Sequence, residues 1–325
     1  MARNDQIRLM TKIARMYYVQ NIRQTQITER LNLHQSTVSR LLKKALDSGI
    51  VRISIASQSG VHLDLEEALE NRFGLKQAVV VDTVSTSEEQ LARDLGSAAA
   101  FLLESFVRGH QTIGISSWSA ALLEMIHSFH PTTDGEGTRI VQILGGMGNA
   151  DAQMHATYLA ERLASLIGGS SVLLPAPGIT SSAKAKEVLM REQYVQAAVK
   201  LWDVLDTVIV GIGALEPSRL LMSSGNIFTQ DERAGLIKQG AVGDICLHYF
   251  NAAGEPIPTP LSSRVIGMSL AQLKGVKHRI GVAGGRRKLD AIHGALNGQW
   301  INILVTDRAT ARALLERSGS PERSA

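Results

Sequence analysis

Three glycine- or serine-rich stretches of the 325-residue chain carry groups that can hold an anion. Arg286, Arg287 and Lys288 follow directly on Ala283-Gly284-Gly285; Ser116, Ser117, Trp118 and Ser119 follow Gly114-Ile115; and Gly145, Gly146, Met147, Gly148 and Asn149 form the third. Hydroxyls and free backbone amides at a helix N-terminus suit a phosphate, and glycine lets a ligand approach the backbone. Three cations in the first turn of a helix oppose the macrodipole by roughly 0.3–1 kcal/mol each, a cost that a bound anion reverses. Each stretch also reads as a plain strand-to-helix turn, with the cations projecting into solvent. Asp244, after Gly240-Ala241-Val242-Gly243, can accept hydrogen bonds from sugar or polyol hydroxyls or can simply end a turn. Nine histidines are scattered without metal-ligand spacing, with His278 and His293 reading as structural or surface residues, so neither a metal nor a cofactor is expected. The single cysteine, Cys246, stands between Ile245 and Leu247 and reads as a buried strand residue.

These groups need a scaffold, and the hydrophobic pattern after residue 76 supplies one. Short runs at Ala78-Val79-Val80-Val81, Thr112-Ile113-Gly114-Ile115, Ile140-Val141-Gln142-Ile143-Leu144, Val172-Leu173-Leu174, Thr207-Val208-Ile209-Val210, Ile245-Cys246-Leu247, Arg279-Ile280-Gly281-Val282 and Ile301-Asn302-Ile303-Leu304-Val305 read as strands. Helical stretches lie mostly between them, including about 88–107 and 152–167. Alternation of this kind predicts an α/β domain with a largely parallel, Rossmann-like sheet covered on both faces. Such sheets bind ligands outside the carboxyl ends of their strands, which is where the three stretches fall.

The first 55 residues follow a different pattern. On a helix starting near Gln35, Val38, Leu41, Leu42 and Ala45 share one face, while Ser36, Ser39, Arg40 and Lys43 share the other. Ile27 and Leu31 mark a preceding short helix, Asn32 suits a tight connection, and Ile7, Met10, Ile13, Ala14 and Tyr17 mark an opening helix. Gly49 ends the second helix of the pair, and Val51, Ile53 and Ile55 alternate as a strand. This is the pattern of a helix-turn-helix whose second helix enters the DNA major groove. Gln35 suits adenine and Arg40 guanine, Ser36 and Ser39 serve bases or phosphates, and Lys43 and Lys44 neutralise phosphates.

Charge is distributed accordingly. Residues 1–55 hold ten Lys or Arg against three acidic residues, a net +7, whereas the remainder carries −3. Positive charge is concentrated on the segment with the motif, as in nucleic-acid binders. The opening residues lack a signal-peptide core, no apolar run reaches the roughly 18 residues of a membrane span, and a lone cysteine suits a reducing compartment, so a soluble cytoplasmic protein is expected. The domains predicted are 1–55 (helix-turn-helix), 56–76 (linker and oligomerisation helix) and 77–325 (effector domain).

In order along the chain, Thr37-Val38-Ser39-Arg40-Leu41-Leu42 with Gly49-Ile50-Val51, Arg72-Phe73-Gly74-Leu75, Ile143-Leu144-Gly145-Gly146 and Leu174-Pro175-Ala176-Pro177 are followed by Gly240-Ala241-Val242-Gly243-Asp244-Ile245, Gly281-Val282-Ala283-Gly284-Gly285 and Ile301-Asn302-Ile303-Leu304-Val305-Thr306-Asp307. Together they resemble the SorC-type family of bacterial sugar-responsive transcriptional regulators over nearly the whole chain. The resemblance implies a regulator rather than an enzyme, with operator DNA bound at the front and a sugar-phosphate-isomerase-like domain behind. That domain would sense a phosphorylated sugar or polyol in a dimer or tetramer, expected to act as a repressor of a catabolic operon. It also implies that Lys288 meets the effector, that Asp244 lines the same cavity and that Ser116, Ser117, Trp118 and Ser119 form the phosphate loop. Departures are Ser119 for the usual small residue, Ala121 for the usual threonine, His34 for a serine cap and Arg23 for a threonine. Two alternatives stay open: a phosphosugar isomerase-like enzyme, and a regulator that senses an unphosphorylated polyol.

Overall fold

The computed structural model describes residues 3–51, 60–83, 87–147, 150–216 and 229–317. The chain divides into two units, 1–58 and 59–325.

In the first unit, α1 (Arg3–Ala14) widens into a π-helical turn at Arg15–Val19 and is followed by α2 (Gln24–Leu31) and α3 (Gln35–Asp47). Met10, Ile13, Met16, Ile27, Val38, Leu41, Leu42 and Ala45 are buried together, so the apolar face read from α3 is the one that packs. Asn32 connects α2 to α3 in the left-handed conformation (φ 50°), and Gly49 leaves α3 at φ 72°. The opening helix departs from its expected face. Ile7 is 44% exposed, while Met16 is buried because the wider turn that follows α1 rotates it inward. Of the strand expected at 51–55 only Val51 lies within the described residues, and there the chain bends.

His34 stands at the N-cap of α3 and its side chain caps no backbone amide. Serine accepts from the amides that open a helix, so His34→Ser is expected to stabilise the motif by about 0.5–1 kcal/mol. Hydrogen exchange of the α3 amides should therefore slow roughly two- to fivefold; unchanged exchange would show that the first turn is already satisfied.

The larger unit is built on seven parallel strands in the order β1-β10-β9-β5-β2-β3-β4. These are β1 (Gln77–Val81), β2 (Thr112–Ile115), β3 (Arg139–Gln142), β4 (Ser170–Val172), β5 (Thr207–Gly211), β9 (His278–Val282) and β10 (Ile303–Asp307). Alternate strand residues serve opposite faces. Ile113, Ile115, Ile209, Ile280, Val282, Ile303 and Val305 join one core with α5 (Glu88–Phe106), α6 (Ala120–Ser128) and α7 (Ala150–Ile167). Val141, Val208, Val210 and Leu304 join the other, with α4 (Leu63–Phe73), α9 (Gln193–Val199) and the helices of the C-terminal third. Among the described residues no helix is long and apolar enough to cross a membrane.

α4 covers an exposed sheet edge. Glu70 and Glu66 accept from the Ala78 and Val80 amides at 2.8 and 2.9 Å, so the outer rim of β1 has its donors occupied by carboxylates. Gly74 then turns the chain at φ 66°.

Three strands depart from their expected boundaries; β10 runs over 303–307 instead of 301–305. β3 stops at Gln142 and β4 at Val172, because the Gln142 side chain itself accepts from the Leu174 amide (2.8 Å) and donates to the Ala156 carbonyl (3.0 Å). Ile245-Cys246-Leu247 is not one strand. β7 (Ala241–Ile245) and β8 (His248–Asn251) form an antiparallel hairpin, completed by β6 (Gly213–Ala214), and Cys246 and Leu247 are its turn at φ 52° and 62°. Their apolar character had suggested a strand, but it reflects burial of the turn itself.

The strand order fixes where a ligand can enter. From β2 the chain moves outward to β3 and β4, and from β5 it moves the other way to β9 and β10. The loops leaving β2 and β5 therefore diverge, opening a crevice at the carboxyl ends of the central strands.

Candidate functional site

A cavity of about 360 Å³ occupies that crevice, and its walls come from five directions. Ser116, Trp118 and Ser119 enter from the loop after β2; Gly211, Ile212 and Gly213 from the end of β5; Asp244, Cys246 and Leu247 from the hairpin; and Gly284, Gly285, Arg286, Arg287 and Lys288 from the loop after β9. Leu91 and Leu95 of α5 close the apolar side.

Asp307, the last residue of β10, positions the cationic loop. Its Oδ2 accepts from the Gly285 amide (2.8 Å) and from the Thr310 hydroxyl (2.6 Å), and its Oδ1 accepts from the Thr310 amide (3.0 Å). A Cβ at Gly284 would lie 2.4 Å from Asp307 Oδ2, and Gly285 adopts φ 88°, so both glycines are required. The chain then makes a single 3-10 turn at Arg286–Lys288 and enters α12 (Leu289–Asn297), the helix that follows β9.

The three cations divide their tasks. Arg286 is exposed. Arg287 pairs through Nε with Glu88 (3.0 Å) and donates to the Glu216 carbonyl (3.3 Å), spanning the cavity rim. Lys288 is half-buried, and among the described residues its ammonium has no hydrogen-bond or ion-pair partner. Burial, then the neighbouring Arg287, lower its pKa, opposed by Asp244 and Glu88. Its ammonium feels the charges of Asp244 and Glu88 without bonding to either.

Asp244 faces the same space at 8% exposure. Gly213 makes room for it, since a Cβ there would fall 2.0 Å from Oδ1, and the Leu247 amide donates to Oδ2 at 2.9 Å. Burial pushes its pKa up to about 6, against the opposing influence of the Leu247 amide and the charge of Lys288. The folded carboxyl thus holds its proton more tightly than the unfolded one, whose ordinary value is 3.8. Stability is highest below that value and is lost as pH rises through about 6. Asp244→Asn is expected to raise the melting temperature of the free protein at pH 7 and to lose that advantage toward pH 4. An equal gain at both pH values would contradict a buried charge.

The serine loop is held by protein as well. Ser116 Oγ accepts from the Gly211 amide (3.3 Å), Ser119 Oγ caps α6 by accepting from the Leu122 amide (3.4 Å), and Ser117 donates to the Leu144 carbonyl (2.8 Å) away from the cavity lining. Ala121 lines the cavity where a threonine would present a hydroxyl. Gly145 and Gly146 are buried outside the lining: a Cβ on the first would meet the Pro177 carbonyl at 2.3 Å and on the second Ala156 Cβ at 2.5 Å, so close packing of protein on protein accounts for both. Met147 is 39% exposed and also outside it, and Asn149 lies outside the described residues. Cys246 is buried, and burial drives its thiol pKa upward, leaving no thiolate to react.

Several wall residues escaped the sequence reading. Gly211-Ile212-Gly213 is a glycine-rich strand end like the others and was a usable signal. Glu88, Leu91 and Leu95 had none, because an amphipathic helix does not announce which part of its apolar face meets a cavity.

In the first unit, Gln35, Ser36, Ser39, Arg40, Lys43 and Lys44 are all exposed on α3, with Ser36, Ser39, Arg40 and Lys43 on the side away from its buried face. Lys44 also donates to Gln6 of α1 at 3.4 Å. A helix with this polar face, carried by a unit of net charge +7 over residues 1–55, meets the requirements of a DNA-reading element.

The comparisons with known proteins give the family. The family model for the sugar-binding domain matches residues 58–316. The sorbitol operon regulator of Klebsiella pneumoniae is 32% identical over 97% of this chain and 100% of its own length. The chain belongs to the SorC family of transcriptional regulators. Its crystallised full-length SorC relative from Klebsiella pneumoniae superposes with a TM-score of 0.74 at 31% identity, covering 95% of this chain and 99% of that one. The deoxyribonucleoside regulator of Bacillus subtilis is 30% identical over 94% of this chain and 97% of its own length. These relatives are regulators, so the SorC-family protein is a regulator, and the enzyme alternative falls away.

Proposed function

We propose that this regulator controls a sugar or polyol catabolic operon as a repressor, releasing its operator when a phosphorylated sugar or polyol fills the cavity. The observation that carries this is Lys288, a half-buried ammonium with no hydrogen-bond or ion-pair partner among the described residues, on a cavity at the carboxyl ends of the central strands. A phosphate there would gain a charge-assisted hydrogen bond and the favourable end of α12. Asp244 would accept from the effector's hydroxyls, with Ser116 and Ser119 beside it and Arg287 at the rim. The relatives named for a sorbitol operon and for deoxyribonucleosides support a small hydroxylated metabolite as effector. On the DNA side, Gln35, Ser36, Ser39 and Arg40 would face base edges while Lys43 and Lys44 meet phosphates. One helix-turn-helix reads one half-site, so a dimer or tetramer is the working form. A regulator of this kind acts where the chromosome is, in the cytoplasm.

A second reading, an unphosphorylated polyol as effector, is favoured by the carboxylates of Glu88, Glu216 and Asp244 in the lining. Thermal melting with sorbitol and sorbitol 6-phosphate, glucose and glucose 6-phosphate, and ribose and ribose 5-phosphate separates the two. The proposal predicts stabilisation by a phosphorylated member of a pair and little by its parent. Stabilisation by the parent alone would reverse it.

A further inference from the structure

α12 starts at the cavity and runs to α4. Lys288 is its N-cap, and its side chain lines the cavity. Five residues on, His293 sets its ring edge-on to Phe73 of α4, with centroids 6.0 Å apart and an interplanar angle of 88°. Asp290 of α12 pairs with Arg317, and the carbonyls of Arg317 and Leu315 both accept from the Arg72 guanidinium of α4, the latter at 2.6 Å. Arg72 and Phe73 thus join α4 to α12 and to residues 315–317 behind it.

The helix is seated without slack. A Cβ at Gly294 would lie 2.8 Å from the Asn251 carbonyl, and one at Gly243 would lie 2.3 Å from Ala291 Cβ, so α12 and the β7–β8 hairpin move as one body. α4 is the first helix after residue 59, where the chain passes from the unit bearing the helix-turn-helix into the larger one.

We propose that α12 carries the state of the cavity to α4, with Arg72, Phe73 and His293 as positioning residues that do not touch the effector. This rests on the reading of the cavity as an anion site. An anion at Lys288 draws on the N-terminus of α12, and because the helix is closely packed against the hairpin, the displacement is passed to the contacts of Asp290 and His293 instead of being absorbed locally. The contacts of Asp290 and His293, in the first turn and the middle of the helix, are a partly exposed ion pair and an edge-on ring pair, weak enough to be rebalanced by a small shift.

The test is hydrogen–deuterium exchange on the full chain in inorganic phosphate against chloride at matched ionic strength. In the parent, phosphate should slow exchange at 283–289 and change it at 66–74 by at least about threefold. In Arg72→Gln the first effect should persist and the second should fall below about 1.5-fold; Asp290→Asn, which leaves α4 intact, should weaken it likewise and serves if the first variant does not fold. Protection at 283–289 with unchanged 66–74, or a full response in both variants, would overturn the inference. No protection at 283–289 would bring down the anion reading, and this inference with it.

Discussion

Lys288→Met is expected to erase stabilisation by the effector while raising the melting temperature of the free protein. The two effects have one cause. The ammonium is half-buried with no hydrogen-bond or ion-pair partner among the described residues, so the free protein carries a desolvated charge that methionine removes at similar length. A charge-assisted hydrogen bond to phosphate contributes about 1.5–3 kcal/mol, so affinity should fall roughly 10- to 150-fold. Calorimetric titration and thermal melting read the two arms. Parent-like affinity would remove Lys288 from the site, and a lower melting temperature would mean that the ammonium already has a stabilising partner.

Arg40→Ala should weaken binding to the cognate operator by about 1–3 kcal/mol and barely change binding to random DNA, if the guanidinium reads a guanine. Lys43→Ala should weaken both alike and reduce the salt dependence, because phosphate contacts are indifferent to sequence. Both side chains are exposed on α3 while Val38, Leu41, Leu42 and Ala45 hold the helix in place, so neither substitution disturbs the core. Equal losses for Arg40→Ala on cognate and random DNA would assign it to the backbone instead.

What could be read from the chain followed from local physics. The period of Val38, Leu41, Leu42 and Ala45 located α3 and its face, and Asn32 and Gly49 marked turns that adopt positive φ. The Val/Ile runs located the central strands because strands buried on both faces are continuously apolar. What could not be read depends on partners distant in sequence. Gln142 ends β3 only because Leu174 and Ala156 lie beside it, and Glu66 and Glu70 guard the β1 edge only once α4 has folded back. Cys246 and Leu247 are apolar enough for a strand, yet they turn a hairpin whose strain is borne by burial and by the bond from the Leu247 amide to Asp244.

The cavity shows the same division. Its polar groups were visible as short motifs after strands, since ligands approach backbone amides and hydroxyls there. Which cation is available was not. Arg287 and Lys288 are neighbours in sequence, but Glu88 and the Glu216 carbonyl engage the first, while the second has no hydrogen-bond or ion-pair partner among the described residues.

The decisive measurement is the affinity of the full chain for the control region beside its own gene, followed by fluorescence anisotropy at moderate salt with and without the same three sugar or polyol phosphates. The account predicts preference over random DNA and a change of tenfold or more with one of those compounds, absent in Lys288→Met. Binding that prefers no sequence, or that is indifferent to every compound tested, would contradict it.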